Sequence, residues 1–113
     1  MTQHIERDAL KALLDGGEPV TLVEALPSRY YEASHLPGAV NLPHDEVMAR
    51  AESVLPDRDA RIVVYCANTA CQNSRIAAEA LKAKGYSNVF EYVEGKADWE
   101  AAGYPLETSA ATA

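Results

Sequence analysis

Apolar and polar positions alternate along this chain in short blocks whose period switches between helix and strand. Ile5, Ala9, Leu10, Leu13 and Leu14 recur at helical spacing and predict a helix over 5–14, stopped by Gly16-Gly17. The β-branched run Val20-Thr-Leu-Val23 predicts a short buried strand. Ser28 to Ala33 can form a short helix after Pro27, and His35-Leu-Pro-Gly38 reads as a turn leading into a strand at Ala39-Val-Asn-Leu42. Asp45 is placed to cap a helix over 46–54, with Val47, Met48, Ala51, Val54 and Leu55 as its apolar side. Arg61-Ile-Val-Val-Tyr65 is the clearest strand, because successive apolar positions mark a strand covered on both faces. A polar loop runs from Cys66 to Asn73. Asn73 or Ser74 then caps a helix through Lys84, with Ile76, Ala77, Ala80 and Leu81 facing inward and Gly85 ending it. Val89-Phe-Glu-Tyr-Val93 is a further strand, and a short helix over 97–102 is closed by Gly103 and Pro105. Helix and strand in alternation with short links imply parallel strands joined by right-handed crossovers, hence a three-layer α/β domain.

The length of 113 residues fits a single domain over 1–113, with a core over about 5–107 and a small polar tail over 108–113 that is expected to fray. Apolar residues at 48% and charged residues at 24% are ordinary for a globular chain and exclude collagen-like, coiled-coil and disordered classes. No run approaches the length of a bilayer span, and the start Met1-Thr-Gln-His-Ile-Glu-Arg-Asp lacks the apolar core of a secretory signal, so a cytoplasmic location is expected. A net charge of −7 argues against nucleic acid and anionic membranes as partners. The acidic surplus, including Glu6, Asp8, Asp57, Asp59, Glu91 and Glu94, is read as a solubilising surface. Two cysteines are too few for a disulfide scaffold, and with three scattered histidines they form no recognisable metal-ligand spacing.

Chemistry therefore centres on Cys66. Ligands of an open parallel sheet bind beyond the carboxyl ends of its strands, and Cys66 stands immediately after the strongest one. The small residues that follow lead into a helix N-terminus, where unpaired amides and the helix dipole favour an anion. In such settings a thiol pKa falls from ~8.5 to about 3.5–7.5. The expectation is a thiolate or persulfide on Cys66 cradled by the loop Ala67, Asn68, Thr69, Ala70, Cys71, Gln72 and Asn73. An inert buried cysteine at a strand end is the alternative.

Three segments in order resemble the rhodanese-like sulfurtransferases. They are Leu22-Val-Glu-Ala-Leu through His35-Leu-Pro-Gly-Ala-Val-Asn-Leu-Pro43, then Val63-Val-Tyr-Cys66 with its loop and Ala77-Ala-Glu-Ala-Leu-Lys-Ala-Lys-Gly-Tyr86, and Tyr92-Val-Glu-Gly-Lys-Ala-Asp-Trp99 through Gly103-Tyr-Pro105. The resemblance implies a rhodanese-type domain with a five-stranded parallel sheet. It also implies catalysis through a Cys66 persulfide, which takes sulfane sulfur from a small donor anion such as thiosulfate and passes it to cyanide, a thiol or a protein acceptor. No metal or organic cofactor is implied.

The chain departs from the family pattern at several positions. The family's shorter loop carries an arginine soon after the cysteine, whereas here Cys71 and Gln72 stand in that region and the first arginine is Arg75. Arg75 either binds the donor anion from the first helical turn or is a solvated helix residue. Glu24, Leu26 and Ser34 replace an Asp, an Arg and a Gly of the upstream motif, leaving Glu24 to find compensation from Arg29, Arg61 or His35. Cys71 is either a resolving thiol for Cys66 or a packing residue. Two other functions compete. A phosphatase with a Cys-x5-Arg loop is disfavoured because Gln72 occupies the arginine position. A non-enzymatic sulfur carrier or redox-responsive binding module would use the same two cysteines. His35 is read as a hydrogen-bonded packing residue in preference to a general base, His44 as a capping or surface residue, Trp99 as the anchor of the last helix or else a loop-lining residue, and Tyr30, Tyr31 and Tyr92 as core or rim aromatics.

Overall fold

Strands whose two faces are both apolar need helices on both sides, and the chain supplies them. The computed structural model describes residues 3–17 and 19–108. Five parallel strands, β1 (Gln3–His4), β2 (Thr21–Glu24), β3 (Val40–Asn41), β4 (Ile62–Tyr65) and β5 (Val89–Tyr92), form one sheet in the order β1-β5-β4-β2-β3. Between them run α1 (Arg7–Asp15), α2 (Ser28–Ala33), α3 (Val47–Val54), α4 (Asn73–Ala83) and α5 (Gly95–Ala101), with a 3-10 turn at His44–Glu46 ahead of α3. On one face Val23, Ile62, Val64 and Val89 pack against Ala51 of α3 and Ala77, Ala78 and Leu81 of α4. On the other, Leu22, Val63, Tyr65 and Tyr92 pack against Leu10 of α1 and Trp99 of α5. This is the expected three-layer α/β architecture with a five-stranded parallel sheet, and all four residues of β4 are buried.

Several local expectations are corrected. The edge strand β1 was not predicted; it pairs with β5, and the Ile5 amide donates to the Glu91 carbonyl at 3.0 Å, so α1 begins only at Arg7. Ala9 is exposed. Met48 and Ile76 are also exposed, at 63% and 41%, although both were assigned to apolar faces. The inward stripes are Val47 with Ala51, and Ser74, Ala77, Ala78 and Leu81, so Met48 sits about 80° and Ile76 about 150° round its helix from the centre of the stripe. Asp45 lies inside the 3-10 turn, and α3 and α4 have no side-chain cap; Asn73 simply opens α4, and Ser74 is buried. Gly85 does end α4 in the left-handed region at φ +96°, with the Tyr86 amide reaching back to the Leu81 carbonyl at 3.1 Å.

The C-terminal segment is tied down as far as Glu107. Its amide and carbonyl both pair with His35, at 2.8 and 2.9 Å, and its carboxylate accepts the Gly38 amide at 3.1 Å. The fraying expected of the tail falls mostly on 109–113, outside the described residues. His35 packs as expected, stacked on Tyr31 with centroids 3.9 Å apart. Trp99 anchors α5, buried edge-on against Tyr92 and Tyr104 with its indole N–H on the Pro105 carbonyl. No helix among the described residues is long and apolar enough to cross a membrane.

Candidate active site

Cys66 follows β4 directly, and its side chain turns to the face covered by α4. It has no solvent exposure. Its S–H donates to Ser74 Oγ at 3.4 Å, and Ser74 O–H donates to Glu91 Oε2 at 2.7 Å. Glu91 Oε1 stands 3.5 Å from Nε2 of His4, which is exposed on β1. A chain of polar atoms thus runs from the sealed thiol to the sheet edge. Register produces it: Glu91 pairs with Val64, so its side chain shares the α4-facing side of the sheet with Cys66. The reading of Glu91 as a surface acid is therefore wrong, since the residue is 4% exposed. The signal was a charged residue in mid-strand, where both faces were expected to be covered.

The protonation state also differs from expectation. Burial pushes the Cys66 thiol up to about 11, a hydrogen bond with Cys71 adds to the rise, and the hydroxyl and amide of Ser74 oppose it. A resting thiol, not a thiolate, occupies the site near neutrality. Two of the loop amides expected to cradle the sulfur are turned to other partners. Ala70 N–H donates to Asn68 Oδ1 at 3.0 Å and Cys71 N–H to the Asn68 carbonyl at 3.1 Å. The amide that meets the sulfur is that of Ser74, in the first turn of α4.

The rest of the predicted loop is spread around the site. The Cys66 and Ala67 carbonyls accept the amides of Lys96 and Ala97, both at 2.9 Å, which fastens the loop to α5. Asn68 and Ala70 lie on the exposed outer turn. Thr69, Cys71, Gln72 and Arg75 border a cleft of 290 Å³ that also touches His4 and Glu91. Arg75 is half-exposed and held by Gln72 Oε1 at 2.9 Å and Glu79 at 3.7 Å, so it is at once a surface helix residue and part of the cleft wall. Among the described residues, no three His, Cys, Asp or Glu side chains come together as metal ligands.

On the opposite face a buried carboxylate supports the same loop. Glu24 is fully buried and accepts Tyr65 O–H at 2.8 Å and Lys96 Nζ at 3.1 Å. Burial raises its pKa, while Tyr65 and Lys96 pull it back. Its main cation is therefore Lys96; of the three residues expected to compensate it, His35 adds a smaller electrostatic pull, whereas Arg29 stacks on Tyr30. The Lys96 ammonium also donates to the Tyr30 and Ser34 carbonyls at 3.1 and 2.7 Å, joining α2 to α5.

The sequence profile of the rhodanese-like domain matches residues 6–102. The chain is 35% identical over 106 residues to the HTH-type transcriptional regulator Rv0324 of Mycobacterium tuberculosis, an alignment covering 94% of this chain and 45% of that protein. It is 37% identical over 59 residues to the thiosulfate sulfurtransferase PspE of Escherichia coli, covering 52% of this chain and 55% of that one. The solution structure of the rhodanese-like domain from the Anabaena protein Alr3790 superposes with a TM-score of 0.83 at 32% identity, covering 96% of this chain and 80% of that chain. The chain spans about half the length of the curated relatives it matches.

Proposed function

Because this chain belongs to the rhodanese-like domain family, we propose that it is a sulfurtransferase that carries sulfane sulfur as a persulfide on Cys66. The observation that carries the reading is the hydrogen-bonded line from Cys66 through Ser74 to Glu91. A thiol held at about 11 is a poor nucleophile at neutral pH unless a base takes its proton as the bond forms. In the proposed reaction the Cys66 proton moves to Ser74 Oγ as the Ser74 proton moves to the Glu91 carboxylate. The thiolate attacks the sulfane sulfur of a small anionic donor. With thiosulfate, the donor S–S bond breaks, sulfite leaves and the persulfide remains. A second nucleophile, a thiol, cyanide or a protein cysteine, then takes the outer sulfur and regenerates Cys66, which is ping-pong covalent catalysis.

The scheme needs no metal or organic cofactor, and nucleic acid and membrane play no part in it. Arg75, at the wall of the cleft, supplies the positive charge for the donor in place of an earlier loop arginine. A cytoplasmic setting, rich in thiols, would provide acceptors.

The test is intact-mass measurement after incubation with thiosulfate. Wild-type protein should pass through a species heavier by the mass of one sulfur, whether or not it later releases it, and Cys66→Ser should acquire none; uptake that survives loss of Cys66 would refute the proposal. Glu91→Gln is expected to slow sulfur loading by about 10²-fold near neutral pH. The deficit should narrow as the pH approaches the thiol value of about 11, where solvent ionises Cys66 without the relay. Stopped-flow loading rates across that range check this, and a pH-independent deficit would mean that Glu91 only shapes the site.

One observation favours a second reading. Because Cys66 is sealed, an acceptor must open the loop to reach it, and in this second reading the contacts of a docking protein partner drive that opening. A sulfur-carrier role predicts rapid transfer to a partner's thiol and slow transfer to cyanide, and equally slow transfer to both removes it. A phosphatase role has no comparable support, since Gln72 holds the anion-clamping position and hydrogen-bonds Arg75.

A further inference from the structure

Resting on the Cys66 persulfide proposed above, we infer that Cys71 is its resolving thiol, so that the protein reduces the bound sulfane sulfur to hydrogen sulfide and closes a Cys66–Cys71 disulfide. Both cysteines are free, one buried and one half-buried. Cys71 is close enough to act on the Cys66 thiol, and it lines the same cleft as Glu91, the acceptor of Ser74, which in turn accepts from Cys66. The intervening turn holds this placement, because Asn68 accepts the Ala70 amide on its side chain and the Cys71 amide on its carbonyl, folding Cys71 back over the end of β4.

Access separates the two sulfurs. Cys66 is closed to solvent, whereas Cys71 lines the 290 Å³ cleft beside Thr69, Gln72 and Arg75. Any external thiol must displace the loop to reach a persulfide on Cys66, while Cys71 already stands in the neighbourhood of that thiol. Pre-positioning of this kind gives an internal nucleophile a large effective concentration over one in solution.

The step balances without an external oxidant. The Cys71 sulfur attacks Sγ of Cys66, the Sγ–sulfane bond breaks, and the Sγ–Sγ bond forms. The outer sulfur leaves with both electrons of the broken bond and takes the Cys71 proton, departing as hydrosulfide into the cleft beside Arg75. The sulfane sulfur gains two electrons, and each cysteine sulfur gives one. An external dithiol reductant then reopens the disulfide for the next cycle.

The experiment compares pre-reduced wild-type full chain with Cys71→Ser and Cys71→Ala, each given equimolar thiosulfate and no acceptor. Released sulfide and intact mass are followed together. Wild type should release about one equivalent of sulfide and lose the mass of two hydrogens, whereas both variants should keep the added sulfur and release sulfide at least about tenfold more slowly. A wild type that holds its sulfur stably, or variants that release sulfide as fast as wild type, would overturn the inference while leaving the persulfide intact. Failure of wild type and both variants to take up sulfur would overturn the persulfide proposal and this inference together.

Discussion

Lys96→Met should destabilise the fold by about 3–5 kcal/mol, because it strands a buried carboxylate. Glu24 is fully buried, and Lys96 Nζ is its cationic partner at 3.1 Å. Methionine fills much of the same volume but donates nothing, so the Tyr30 and Ser34 carbonyls lose a partner as well. The loss should depend on pH in a defined direction. Glu24 already has a raised pKa in the folded protein, so folding favours its protonated form, and that contribution is complete below the unfolded carboxylate value of about 4.3 and lost as the pH rises through the higher folded value. Removing Lys96 raises the folded value further. Urea unfolding should therefore show the variant closest to wild type in acid and furthest from it at neutral and alkaline pH. Adding Glu24→Gln should recover part of the neutral-pH loss, since it removes the charge that Lys96 compensated. A deficit that stays constant with pH would show that Lys96 acts through packing alone.

Gly95→Ala should cost about 2–5 kcal/mol, the sum of a left-handed backbone penalty and a steric overlap. Gly95 has φ +68°, and a Cβ placed on it would lie 2.4 Å from the Cys66 carbonyl oxygen and 3.0 Å from the Ala67 carbonyl carbon. The contact is with backbone, so no side-chain rotation relieves it. The same carbonyls accept the Lys96 and Ala97 amides, so relief of the clash must move the peptide that carries Cys66. The variant should therefore lose stability in urea titration and, in whatever fraction stays folded, load sulfur more slowly than wild type. Wild-type loading in a destabilised protein would show that the Gly95 contact supports the fold but not the position of the sulfur.

Much of the architecture was legible in local pattern. The unbroken apolar run of β4 required cover on both faces, and alternation of strand with helix required parallel pairing. The position of Cys66 at the end of that strand followed from the same run. The edge strand β1 was not legible, because Gln3 and His4 carry no apolar signal and become a strand only through β5. Ile76 and Met48 were misassigned because hydrophobicity is a property of the residue and orientation a property of the helix stripe. The motifs that resemble the rhodanese-like family singled out Cys66 but were silent on what surrounds it.

The surroundings of the sulfur depend on contacts between residues distant in sequence. Glu91 has the composition of a surface acid, and its register opposite Val64 turns it into the partner of Ser74 beneath α4. Glu24 acquires its counter-ion from Lys96, a residue 72 positions away. The raised thiol of Cys66 has the same origin. Placing a sulfur at a strand end is a local event, but sealing it takes β5, the first turn of α4 and the folded-back loop together. Side-chain periodicity is written residue by residue and survives in an isolated segment. Burial, and the electrostatics that follow from it, exist only once separate segments have excluded water from between them.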